Sequence, residues 1–225
     1  MQSSAYCTIH SFWTQGHNTV FCQRTAKNLT LVQDSLQTFN NLCPLPSDIW
    51  MSIQCSSLPP KIHNFIFLAL HVGQWIETFW NHIPGYEERA TCSACNKLED
   101  LNHILLKCRR SGQQEVWNLM RQLWTKKHTQ WPTLTLGLLL GCCAVIFCDA
   151  KGVHDCALVI QESIHLIWRF HCKTVLSQDN EPLPYQSIHN CWLQMINKCL
   201  ALDRLWVNVH KLGVRALLYS LVTQT

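Results

Sequence analysis

The sequence predicts a mainly α-helical fold that carries one small irregular insert. Three observations predict it. Apolar residues recur at helical spacing through most of the chain. Closely spaced cysteines interrupt that pattern once, between residues 86 and 108. Only 14% of the residues are charged while 48% are hydrophobic, ten of them tryptophan. An ordinary soluble domain has about 25% charged residues and a similar apolar share, so the low charge with ten tryptophans argues against disorder and for a chain whose core or partner contact takes an unusual share of its surface. Its 225 residues suffice for one moderate domain or two small ones.

The elements follow in order. Residues 1–24 are polar and without period. From Thr25, the stripe Leu29, Val32, Leu36 and Phe39 reads as a helix. Cys43-Pro-Leu-Pro-Ser47 breaks it, and Ser47 is the expected N-cap of a short helix through Asp48, Ile49, Trp50 and Ile53. Pro60 suits the first turn of a long helix running to about Trp80, which Ile83-Pro-Gly-Tyr86 ends. After the cysteine-bearing stretch, Gln113 to Trp124 is amphipathic, with Val116, Trp117, Met120, Leu123 and Trp124 on one side. Trp131-Pro132 stops it. The apolar run 134–147 is too short to span a membrane, which needs about 20 residues, and reads as a buried core helix. Cys156–Thr174 and Tyr185–Val207 are further helices, and Gly213–Val222 is a last one.

Fourteen cysteines bear on the compartment. Met1 to Trp13 has no Lys or Arg and no apolar run of the kind a secretory signal needs. The expectation is an intracellular protein, nuclear or cytoplasmic, with reduced thiols and no membrane span. Paired cysteines then suggest metal before disulfide.

Cys92-Ser-Ala-Cys95, His103 and Cys108 have the spacing C-x2-C-x7-H-x4-C. A CxxC turn brings two sulfurs to one side. The x4 spacing is expected to put His103 and Cys108 one helical turn apart on a shared face. Together they make a Cys3His set, the donor set of a tetrahedral structural Zn2+ site. Four protein ligands leave no position for a reacting water, so one zinc ion is expected to fold chain and to do no chemistry. The insert is thus expected to be a CxxC knuckle plus a short helix. The remaining eleven cysteines form no second quartet. Cys148, His154 and Cys156 read as packing residues, as do His165 and Cys172, and His171 and His189 have no evident acidic partner.

Lys107, Arg109, Arg110, Arg121, Lys126 and Lys127 stand against Glu115 alone between residues 103 and 128. This net +5 exceeds the +4 of the whole chain. Such residues beside a metal knuckle are candidates for phosphate contact with RNA or DNA, an affinity that falls steeply with salt. The competing reading is that they balance the charge of three thiolates and remain solvated. Trp117 and Trp124 are expected in the core, with base stacking the weaker alternative. Phosphate-loop, dinucleotide-binding, nucleophile-elbow and HExxH signatures are absent, so no small-molecule substrate is inferred.

With those residues the chain resembles the reverse-transcriptase zinc-binding domain family, from the C-terminal region of non-LTR retroelement polyproteins. The resemblance rests on Cys92-Ser-Ala-Cys95, Glu99, His103-Ile-Leu-Leu-Lys-Cys108 and Trp117, and on Phe67–Trp80 and Ile83-Pro-Gly-Tyr-Glu87 before them. Glu162–Trp168, Ile188–Trp192 and Ala201–Arg204 are similar to stretches that follow this domain in retroelement-derived proteins of fungal genomes. It implies Cys92, Cys95, His103 and Cys108 as ligands and Glu99 as a supporting or capping residue. Phe12–Asn18 faintly resembles the His-bearing end of a ribonuclease H domain.

No Asp-Asp pair occurs, and Asp34 and Asp48 are the only acids before Glu77. Two-metal phosphoryl chemistry needs several converging carboxylates. The chain is therefore expected to be no enzyme. The organisation reads as an irregular segment at 1–24, a helical region with the zinc module at 25–131 (core 86–124), and a C-terminal helical region at 132–225. The expected function is a non-catalytic zinc module that binds nucleic acid. The alternatives are a structural or protein-interaction module and an inactive remnant of a reverse transcriptase/ribonuclease H polyprotein.

Overall fold

A computed structural model describes residues 23–54, 58–126, 130–145, 147–149, 152–154, 156–176 and 183–210. Of Thr78, Arg109, Cys156, Leu176, residues 202–210 and the two short strands it describes the backbone alone. The ribonuclease H resemblance at 12–18, Lys127 and the expected helix at 213–222 lie outside the described residues.

Seven α-helices are described: α1 (Gln23–Asn40), α2 (Pro46–Ile53), α3 (Pro60–Leu70), α4 (Gln113–Thr125), α5 (Leu136–Gly141), α6 (Cys156–Leu176) and α7 (Tyr185–His210). The mainly helical expectation holds. α6 is the hub, packed by α3, α4, α5 and α7 and by the segment that follows the cysteine pair. Its polar residues dock neighbours. Glu162 takes Lys61 of α3 at 2.9 Å, and Gln161 Nε2 donates to the Leu139 carbonyl of α5 at 2.9 Å. One cluster of buried side chains runs from Leu29 to Leu200 and includes Trp117, Trp124 and Trp192. No helix among the described residues is long and apolar enough to cross a membrane.

Three elements differ from expectation. α2 begins at Pro46, and the cap is made by Asp48, whose carboxylate accepts from the Leu45 N–H at 3.0 Å, not by Ser47. α3 ends at Leu70, ten residues before Trp80. Val72 takes a left-handed φ of 54°. Gly73 N donates to the Leu68 carbonyl at 2.8 Å and Val72 N to Ala69 at 3.3 Å, the paired bonds of a Schellman stop. Glycine usually fills the left-handed position, and here it sits one residue later. Asn28 Nδ2 of α1 takes the Ala69 and Leu70 carbonyls at 3.2 and 3.1 Å. A neighbouring helix thus completes the cap.

The third difference is the run 134–147. Its helix spans only Leu136–Gly141, a 3-10 turn follows at Cys142–Ala144, and β1 (Phe147–Asp149) pairs antiparallel with β2 (Gly152–His154). Val145, Ile146 and Phe147 favour strand. The short helix lies tight on α1. A Cβ on Gly137 would collide with the Leu31 carbonyl and Ser35 Oγ, and one on Gly141 with Val32 Cγ1. Only glycine allows backbones this close.

Candidate metal centre

The stretch from Ala90 to Leu98 is a small antiparallel hairpin. Thr91 bridges Leu98, Cys92 N donates to the Lys97 carbonyl at 2.8 Å, and Glu99 N to Ala90 at 3.0 Å. The turn closes with Asn96 N on the Cys92 carbonyl at 2.8 Å. Asn96 adopts a φ of 53°, which asparagine tolerates better than most residues. This turn presents Cys92 and Cys95 on one side.

The other two candidate ligands follow a local helix. Asp100 caps it: its Oδ1 accepts from the His103 N–H at 2.6 Å, and its carbonyl from Ile104 N at 2.9 Å. The expected α-turn between His103 and Cys108 is not what forms. Five residues at 3.6 per turn leave two side chains about 140° apart, so an α-helix would separate this pair. Residues His103–Lys107 instead form a π-turn, closed by Cys108 N on the His103 carbonyl at 2.7 Å. An i→i+5 turn brings residue 108 back over residue 103. The Leu105 carbonyl accepts the Trp117 indole N–H at 2.7 Å, and Ile104 accepts Ser111 Oγ at 3.3 Å. Trp117 thus supports the π-turn from α4. Gly112, at φ 66°, then reverses the chain into α4.

The four expected ligands converge. One atom from each of Cys92, Cys95, His103 and Cys108 lies within 4.8 Å of the others. Cys92 Sγ and Cys108 Sγ are 3.6 Å apart, and Cys95 Sγ lies 3.2 Å from His103 Nε2. A tetrahedral ion with metal–sulfur bonds of about 2.3 Å has S···S edges of about 3.8 Å. The sulfur spacing fits that edge and is far from a disulfide, about 2.05 Å. The group could hold a metal ion. It is the only such group among the described residues. Cys92, His103 and Cys108 are buried and Cys95 is exposed.

Burial works against a charge on Cys92. Hydrogen bonds from the Ala94 and Cys95 amides and from the Cys95 and Cys108 thiols outweigh it, so this thiol is held below its usual range. Cys108 is pushed up to about 12, by burial first and the neighbouring sulfurs next. Cys95 is raised too, by lost hydration and then by Cys92. His103 is lowered by burial, opposed by Asp100 and reinforced by Lys97 and Lys107. Its Nδ1 is buried without a hydrogen-bond partner among the described residues.

The surrounding residues are only partly those expected. Glu99 is no cap; Asp100 has that place. Glu99 is buried, its Oε1 3.7 Å from Nδ1 of His171 on α6. Burial raises Glu99 and lowers His171 to about 4, so His171 is neutral near pH 7 and the contact is no ion pair. This gives His171 the acidic neighbour that sequence did not reveal. Arg110 is committed inward: Nη1 donates to Ser93 Oγ at 2.6 Å, inside the CxxC turn, and Nη2 to the Thr174 carbonyl of α6 at 3.1 Å. Lys107, Arg121 and Lys126 are exposed, Arg121 with its guanidinium 5.9 Å over the Trp131 ring. The Arg109 side chain and the side chains of Cys148, His154 and Cys156 are among those not described. Lys97, exposed beside His103, is a rim cation that the sequence reading missed.

A comparison with protein-family models, with curated proteins and with solved structures finds no match to this chain.

Proposed function

We propose that the chain is a non-catalytic, zinc-stabilised helical module that contacts RNA or DNA beside its knuckle. The carrying observation is the convergence of Cys92, Cys95, His103 and Cys108 within 4.8 Å. Three sulfurs and one imidazole in a compact set favour zinc over harder ions. Four protein ligands give the ion a folding role. Lys97 and Lys107, exposed beside His103, supply phosphate contacts, and Arg121 and Lys126 extend the basic surface along α4. The ligand spacing supports kinship with the reverse-transcriptase zinc-binding domains.

The test has two readouts. The purified chain is expected to hold one zinc, and its affinity for a single-stranded or duplex oligonucleotide to fall between 50 and 200 mM salt. A Lys107→Gln variant should lower the log–log salt slope by about one. A zinc-loaded chain with a flat salt response would move the reading to a structural or protein-interaction module. The inward commitment of Arg110 favours that alternative, because it removes one cation from the surface.

A further inference from the structure

Residues 75–89 build an aromatic surface that neither the core nor the metal centre uses. Trp75 is 69% exposed, Tyr86 45% and Phe79 37%. The surface is held in place from below. Two 3-10 turns, Glu77–His82 and Glu87–Ala90, pack on each other, and Trp80 Nε1 donates to the Trp75 carbonyl at 2.8 Å. Trp75 and Phe79 stack 3° from parallel with centroids 5.6 Å apart. Trp80 stands edge-on to Phe79 at 5.2 Å, with Tyr86 6.1 Å beyond. Contiguous exposed rings of this kind mark an interaction site more often than chance.

The charge of the segment indicates what it would take. Glu77, Glu87 and Glu88 stand against Arg89 alone between residues 74 and 90, a net −2 in a chain of net +4. Glu88 forms no ion pair among the described residues, whereas Glu77 lines a cavity that also holds Arg24 and Lys27 of α1. One guanidinium is already seated here: Arg89 lies 4.8 Å over the Tyr86 ring and 5.2 Å over Trp80. Ring faces carry negative potential and attract cations, and the carboxylates add to that attraction. A polyanion would meet the same carboxylates as repulsion.

We propose that this surface docks an arginine- or lysine-bearing segment of a partner protein. One cationic head group would lie over the Trp75–Phe79 pair, as Arg89 lies over Tyr86 and Trp80, with Glu87 and Glu88 of the second turn supplying counter-charge. This site shares no residue with the basic surface proposed beside the knuckle.

Three probes test it on the full chain: a ten-residue alternating Arg/Gly peptide, its Glu/Gly counterpart, and a ten-nucleotide deoxythymidine strand. The Trp75 indole N–H resonance, assigned by its loss in Trp75→Phe, should shift with the arginine peptide and not with the glutamate peptide. Trp75→Ala should weaken arginine-peptide binding about fivefold, with an unchanged far-ultraviolet spectrum because the side chain is exposed. Glu87→Gln combined with Glu88→Gln should weaken it about twofold and flatten its salt dependence. Lys107→Gln should leave it unchanged. Arginine-peptide binding that ignores Trp75→Ala would overturn the proposal. So would a deoxythymidine strand that shifts Trp75 more than the arginine peptide does, because the rings would then be a base-stacking platform.

Discussion

Between Thr91 and Leu98 every residue but Cys92 is exposed, whereas α5 is buried from Gly137 to Gly141. The first region has almost no apolar surface to hide. Its shape rests on hairpin hydrogen bonds, on the Asp100 cap and on four side chains drawn to one point. The second has few polar contacts: Thr135 Oγ1 caps it by accepting from Leu138 N at 3.1 Å, and Gln161 donates to the Leu139 carbonyl. It holds because two glycines let α1 approach until Val32 and Leu36 are wholly buried. The contrast is between two sources of local order, polar contacts around four side chains that could hold a metal ion and close packing, each independent of the other in the residues it uses. They meet at α6, where Thr174 accepts from Arg110 and Gln161 donates to Leu139.

That independence can be broken experimentally, and the largest effect is expected at the ligands. Cys108→Ser, or a strong chelator, should abolish metal binding and expose the amides of 90–108 to hydrogen exchange, while the amides of α1 and α5 stay protected. Loss of protection in both regions together would show the two to be one cooperative unit.

Acidity should act on the same side of the comparison. Cys95 and Cys108 are raised and carry protons near pH 7, yet a metal takes them as thiolates. Binding therefore releases protons. Affinity should rise with pH and fall as pH drops, on the order of tenfold per pH unit for each proton released. His103, already lowered, adds no release near neutrality. Competition titrations between pH 6 and 8 measure the slope.

Gly137→Ala tests the other region. Its new methyl group would push α5 from the Leu31 carbonyl, at a cost of about 2 kcal/mol. Urea unfolding should show that loss with metal affinity unchanged. The smallest effect is expected for Asp100→Ala. Removing the cap should cost about 1 kcal/mol and weaken metal binding severalfold, because the same carboxylate sets the backbone of His103. Metal affinity indifferent to this change would mean that the π-turn positions His103 unaided.

Much of the helical pattern was legible because burial repeats along the chain. The stripe Leu29, Val32, Leu36 is buried as its spacing indicates, and so are Trp117 and Trp124. Asp100 could also have been read, since an Asp directly before an apolar run is an N-cap signal. Other features had no local trace. The stop of α3 depends on Asn28, more than forty residues away, and puts Val72 where glycine is usual. The Glu99–His171 contact joins residues that no spacing relates.

Residue identity and spacing by themselves determined the four candidate ligands and the helical character, because donor chemistry and apolar periodicity are properties of the chain. Tertiary structure alone decided that His103 and Cys108 share a face. An α-turn would part them, and the π-turn that unites them is supported by Trp117 and Ser111 taking the carbonyls at its end. It also turned Arg110 inward, because Ser93 and the end of α6 offered its guanidinium two acceptors.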